Sequence, residues 1–149
     1  MHCVQPEGND TIASVLRAGG TQAVAVTSTT AISGLQVGGI LDANDVIAAC
    51  RRTGGQGYVV PDEAAWTAQA RMAREEGIFS EPAGAVALAG LERAVARGEV
   101  RPDANLVCLV TGTGFKDERS LLRMTGEAGT PLVDGFDAFA DVVRGALKR

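Results

Sequence analysis

The chain has 149 residues, 46% hydrophobic and 21% charged, so it is long enough to bury a core and fits one domain. A formal net charge of -4 argues against nucleic acid or an anionic membrane as partner, because both are bound through clustered cations, and here twelve arginines and two lysines, Lys116 and Lys148, are scattered. Cys3, Cys50 and Cys108 are odd in number and have no CxxC spacing, which indicates neither a zinc motif nor a disulfide framework and suits small buried thiols of a reducing cytoplasm.

No run approaches the roughly 18 apolar residues of a membrane span, and the opening MHCVQPEGND lacks the pattern of a secretion signal. Residues 2–5 read as a clipped strand, broken by Pro6, Glu7 and Gly8. Asn9 and Asp10 are placed to cap a helix that carries Ile12, Val15 and Leu16 on one face and stops at Gly19 and Gly20. Residues 22–27, QAVAVT, are a buried-strand candidate, and residues 31–39, with Gly34, Gly38 and Gly39, read as a loop or short helix. A helix over 42–52 presents Val46, Ile47 and Cys50, and a short strand follows at 58–60.

Pro61, Asp62 and Glu63 open a longer helix that closes at Glu76 and Gly77, with Trp66, Ala70 and Ala73 on its expected buried face and Trp66 as a core anchor. Ser80, Glu81 and Pro82 are the ingredients of another helix start, with the Ser80 hydroxyl as the expected cap. From Ala83 that helix is apolar on nearly every side and rich in alanine and glycine, so something must approach it closely. Beyond the TGTG cluster at 111–114 a short helix over 116–124 and a loop to Pro131 are expected. A final helix begins at Asp134 and Gly135, with Phe136, Phe139, Ala140, Val143 and Leu147 spaced to dock on a sheet. Strands and helices in alternation imply an α/β fold, an open parallel sheet with helices on both faces.

The stretch with the most chemical content is 105–117, NLVCLVTGTGFKD. Residues 106–110 are a short unbroken apolar run, the pattern of a strand buried on both faces, and ligands sit beyond the carboxyl ends of such strands. There Gly112 and Gly114 let the backbone approach a ligand, while Thr111 and Thr113 offer hydroxyls. Taken alone, the same four residues also suit a tight turn with no ligand.

Three stretches together resemble threonine synthase and its relatives among the pyridoxal-phosphate enzymes of the tryptophan synthase β-subunit fold, also called fold type II. Residues 75–91, EEGIFSEPAGAVALAGL, are similar to that family's EEG-aliphatic-x-x-EPA helix start. Residues 109–117, LVTGTGFKD, are similar to its strand-TGHGLKD turn, and residues 29–39 more weakly resemble its TIAxxIRIGNP segment. Thr113 stands where that family usually has histidine, Phe115 where it has leucine, and Gln36 where it has arginine. EPAGA followed by ALAG is also close to the serine and threonine dehydratases, whose corresponding turn is serine-glycine-glycine-asparagine.

What the resemblance implies is a pyridoxal 5'-phosphate lyase working by elimination or replacement on an amino acid or O-phosphohomoserine. By that resemblance the Thr111 hydroxyl faces the pyridine nitrogen, Gly112 and Gly114 let the turn lie close to the ring, Thr113 counts with Thr111, Gly112 and Glu81 among the cofactor-binding residues, and Glu81 is near the site. The family's Schiff-base lysine lies in a serine-phenylalanine-lysine-aspartate motif, and neither that motif nor the glycine-rich phosphate loop is present; Lys116 falls in the turn motif instead. The expectation is therefore that residues 1–149 are the C-terminal portion of the large cofactor-binding domain, that Met1 is an internal methionine or the start of a truncated gene, and that the isolated chain is inactive. No catalytic or metal-binding residue is assigned. The complete enzyme is expected to be a cytoplasmic homodimer acting on a small amino acid, with a dehydratase-like enzyme or a non-catalytic remnant as alternatives.

Overall fold

The computed structural model describes residues 1–125 and 133–147. Lys148 and residues 126–131 of the loop expected over 125–131 lie outside them, while Thr125 itself ends a helix. Strand β1 (Cys3–Pro6) pairs in parallel with β2 (Gly57–Val60), Cys3 opposite Gly57 and Pro6 opposite Val60. Between them run α1 (Ala13–Arg17) and α2 (Ala43–Arg52), and after them come α3 (Asp62–Glu76), α4 (Pro82–Ala96), α5 (Glu118–Thr125) and α6 (Phe136–Ala146).

Alternate residues of a strand point to opposite faces. Cys3 packs against a core of Ile12, Leu16, Ala43, Ile47 and Cys50 in and around α1 and α2, whereas Val4 packs against Val60 of β2 and Ala68, Met72, Ala85, Val86 and Ala89 of α3 and α4. Helices thus cover both faces of the small parallel sheet, as the alternation of elements implies. Two close approaches depend on glycine. A Cβ on Gly57 would fall 1.9 Å from the Ala13 carbonyl oxygen, and one on Gly90 would fall 2.3 Å from a Val4 methyl, so α1 and α4 each reach the sheet through a missing side chain.

The start of α1 is held differently from the expected cap. Asp10 Oδ1 does accept the Ser14 N–H, but Gln5 Oε1 accepts those of Ile12 and Ala13, at 2.7 and 2.9 Å, from the strand beside the helix. Asn9 is buried and donates through Nδ2 to the Leu35 and Val37 carbonyls, tying down the loop over 31–39. On α3 the buried residues are Ala65, Ala68, Gln69 and Met72; Trp66, Ala70 and Ala73 are half-buried. The buried face is rotated because Ala68 and Met72 share one core with Ala85, Val86 and Ala89 of α4, which leaves the Trp66 ring under the Arg123 guanidinium of α5, 4.1 Å from its centroid.

Three further expectations meet a different outcome. Residues 22–27 and 106–110 form no strand ladder among the described residues. In the first, Val24 and Val26 give their N–H groups to Thr11 and Gly38, so loop contacts replace a neighbouring strand. The apolar side of α6 is uncovered, with Phe136 at 80% and Leu147 at 83% exposure, so its periodicity finds no sheet to dock on among the described residues.

Burial, with the neighbouring Cys50 and Asp10 adding to it, pushes the Cys3 thiol from its ordinary 9.0 up to about 12. The neutral thiol is thus the folded form, and its contribution to stability is whole below pH 9 and is lost as pH rises through the window to about 12. Chemical denaturation of wild type and Cys3→Ala on either side of about pH 9 should show a smaller alkaline loss for the variant.

Candidate functional site

Two glycine-dependent contacts and one short bridge assemble the site around the first turn of α4. Glu81 is the N-cap residue of α4, in extended conformation, and its carbonyl accepts the N–H groups of Gly84 and Ala85. The residue before it, Ser80, forms an isolated antiparallel bridge with Thr113, through Glu81 N–H to the Gly112 carbonyl and Gly114 N–H to the Phe79 carbonyl. In that pattern Ser80 and Thr113 are the directly opposed pair whose side chains lie closest. Ser80 does not cap α4: its hydroxyl is buried without a partner, because the bridge commits its backbone to the turn and not to the helix.

A Cβ on Gly84 would lie 2.1 Å from the Thr111 carbonyl oxygen, and one on Gly34 would lie 2.9 Å from the Ala83 Cβ. The weakest of the three family-like stretches, 29–39, is therefore seated on the same helix turn as the TGTG cluster. That loop is also tied to α3, since Thr30 Oγ1 donates to Asp62 Oδ1 at 2.6 Å and the Ala31 N–H to Asp62 Oδ2 at 2.7 Å. From the other side Gln69, 1% exposed, donates Nε2 to the Ser80 carbonyl at 2.7 Å and fixes the bridge to α3. Neither Gln69 nor Asp62 stands out in the sequence as part of a site. Gln69 shares the buried face of α3 with Ala65, Ala68 and Met72, whereas the sequence pattern places Trp66, Ala70 and Ala73 there instead.

Of the expected residues, Thr111, Gly112 and Thr113 are exposed and contiguous, and the Thr111 hydroxyl has no partner among the described residues. Gly112 has a φ of +55°, and a Cβ there would fall 1.9 Å from Glu81 Oε1, so the Glu81 carboxylate lies directly over it. Lys116 Nζ stands 3.8 Å from Glu81 Oε2, pairing the motif's lysine with the motif's carboxylate. Beneath the turn, Gly114 is packed on the Phe79 ring, which meets Phe115 edge to face at 5.1 Å. Asp117 then accepts the Ser120 hydroxyl at 2.6 Å and starts α5. The structure thus brings Glu81 together with Thr111, Gly112 and Thr113, and supplies hydroxyl and carboxylate groups with a cation beside them.

The family model for pyridoxal-phosphate dependent enzymes matches residues 1–112, and the chain belongs to that family. Among its relatives, the threonine synthase of Methanosarcina acetivorans is 33% identical over 148 residues, 97% of this chain and 35% of the relative. The threonine synthase of Methanocaldococcus jannaschii is 36% identical over 98 residues, 66% of this chain and 24% of the relative. A solved T.th. threonine deaminase superposes with a TM-score of 0.49 at 24% identity over 64% of this chain and 34% of that one. The chain spans about a third or less of the length of the relatives it matches. Among the described residues, no helix is long and apolar enough to cross a membrane.

Gly112→Ala should destabilise the chain by more than about 1 kcal/mol, from positive φ and from collision with Glu81. Combining it with Glu81→Ala should relieve the collision part and leave the backbone part, a non-additivity that a double-mutant cycle of urea melts measures.

Proposed function

We propose that this chain is the C-terminal part of the cofactor-binding domain of a fold-type-II pyridoxal-phosphate lyase resembling threonine synthase, acting on an amino acid or O-phosphohomoserine by elimination or replacement. The observation that carries the reading is the convergence of Glu81, Thr111, Gly112 and Thr113 on one turn of α4 in a member of this family. The residues present fit the cofactor in that Thr111 offers an exposed hydroxyl without a partner among the described residues, followed by a glycine turn that carries no Cβ.

Bound there, pyridoxal phosphate would supply an electron sink for the substrate's α-carbon. Thr111 Oγ1 would give the ring nitrogen a neutral hydrogen-bonding partner, which, unlike a carboxylate, does not hold a proton on it. Gly112, which carries no Cβ, would leave room for the cofactor, Thr113 would offer a second hydroxyl beside it, and Glu81, paired with Lys116 at 3.8 Å, would hold a carboxylate at the turn. The missing lysine and phosphate-binding loop would come from the polypeptide portion that corresponds to the rest of the relatives. The complete enzyme is read as a cytoplasmic homodimer without nucleic-acid partners.

A second reading, a non-catalytic remnant that binds a small molecule, is favoured by the engagement of Lys116 with Glu81, which leaves it as an ion-pair partner and not a free amine. Both readings predict that the 149-residue chain, reduced with borohydride in the presence of pyridoxal phosphate, shows no stoichiometric labelling of a single lysine. Peptide mass mapping checks this, and full labelling of Lys116 would count against both.

In the assembled enzyme, Thr111→Ser should retain activity, and Thr111→Ala should lose about 1 to 3 kcal/mol of stabilisation by leaving the ring nitrogen unpaired. Thr111→Asp should favour a protonated nitrogen, changing the cofactor's absorbance and shifting products toward transamination or racemisation. A folded Asp variant with an unchanged spectrum would remove the assignment of Thr111.

A further inference from the structure

The outer stripe of α3 and the end of α5 enclose a groove of about 820 Å³, within the size range of small-ligand sites. Of the residues that assemble the turn around Thr111, Gln69 alone touches it. Trp66 stands in its wall with the Arg123 guanidinium 4.1 Å from the ring centroid, and the indole Nε1 is buried with no hydrogen-bond partner among the described residues. Arg123 has one polar partner among those residues, the Ser120 hydroxyl at 3.3 Å. An indole N–H and a guanidinium can only donate, so what this end of the groove lacks is an acceptor.

The other charged groups decide what kind of acceptor fits. Arg71 is already paired with Glu75, at 3.3 Å, and with Glu92. Glu63 and Arg74 line the same groove and have no ion-pair partner among the described residues. Positions 63, 66, 70 and 74 are three or four apart and share one face of α3, so the groove presents a carboxylate, the donor pair and a guanidinium in that order. We propose that it is a binding site for an α-amino acid with an acidic side chain. The α-carboxylate accepts from Arg123 and Trp66 Nε1, the ammonium pairs with Glu63, and the side-chain carboxylate runs past Ala70 to Arg74. Because the guanidinium lies over the ring face, drawing it onto a carboxylate opens the approach to Nε1. An inorganic anion would leave Glu63 unanswered, and a simple amine would leave the donors so. The inference stands apart from the proposed function, since neither Thr111 nor Glu81 lines the groove.

Trp66 is the single tryptophan of the 149-residue chain, so its emission reads the groove directly. With ionic strength held constant by sodium chloride, L-glutamate as probe should change that emission saturably. Glutarate, which lacks the ammonium, and L-glutamine, which lacks the side-chain charge, should each bind about tenfold more weakly, the loss of one charge-assisted contact. Glu63→Gln should weaken L-glutamate about tenfold without weakening glutarate, and Arg74→Gln should weaken it about tenfold without weakening L-glutamine. Equilibrium dialysis with labelled L-glutamate detects binding that leaves the emission unchanged. Absence of saturable binding by both methods overturns the proposal. Glutarate binding as tightly as L-glutamate, or an unchanged L-glutamate affinity in both variants, overturns it as well.

Discussion

Close approach of glycine backbone at the first turn of α4, to a carbonyl in one case and to the Ala83 Cβ in the other, is the constraint on which this molecule depends. The turn is contacted at once by the 29–39 loop through Gly34 and by the TGTG turn through Gly84, and neither contact leaves room for a Cβ. Side chains packed in a core adjust by changing rotamer, whereas a carbonyl 2.1 Å from where a Cβ would lie cannot. The alanine and glycine content of α4 is accordingly a record of what is pressed against it. The same helix reaches the sheet through Gly90 over Val4, so the site and the core share one rigid element.

From this the electrostatics of the turn follow. Glu81 is placed by the N-terminus of α4, Gly112 by the bridge to Ser80, and the carboxylate lies over the glycine because both backbones are already fixed. Gln69 holds that bridge from a buried position on α3, and Asp62 holds the 29–39 loop from the start of the same helix. The site is therefore assembled by α3 and α4 together, while its functional groups stand on the turns between elements. Such a division puts polar turns on rigid helices, the arrangement that holds functional groups in fixed geometry.

An apolar run exposed on both sides and an amphipathic α6 without a cover are costly in water for a chain folding only upon itself. Two packed cores on either side of a two-stranded sheet nevertheless give the first hundred residues an interior of their own. Among the described residues the chain is thus well packed on both faces of its two-stranded sheet and exposed along residues 106–110 and α6.

Much was determined by the sequence alone. Local rules set the helices at 43–52, 62–76 and 82–96, ended by Gly54, Gly77 and Gly98, since a residue in the left-handed region and a proline in a first turn are signals that neighbours cannot override. The two motifs around Glu81 and Thr111 were also legible, because their spacing is carried by contiguous residues. What only the tertiary structure decided are the relations between distant residues. Gln5 capping α1 from a strand, Ser80 left uncapping beside Thr113, the rotation of the buried face of α3 away from Trp66, and the grip of Gln69 on the site all depend on which surfaces meet. A strand pattern likewise specifies that residues 106–110 want two neighbours, but pairing is a property of two segments, and one segment's sequence cannot name the other.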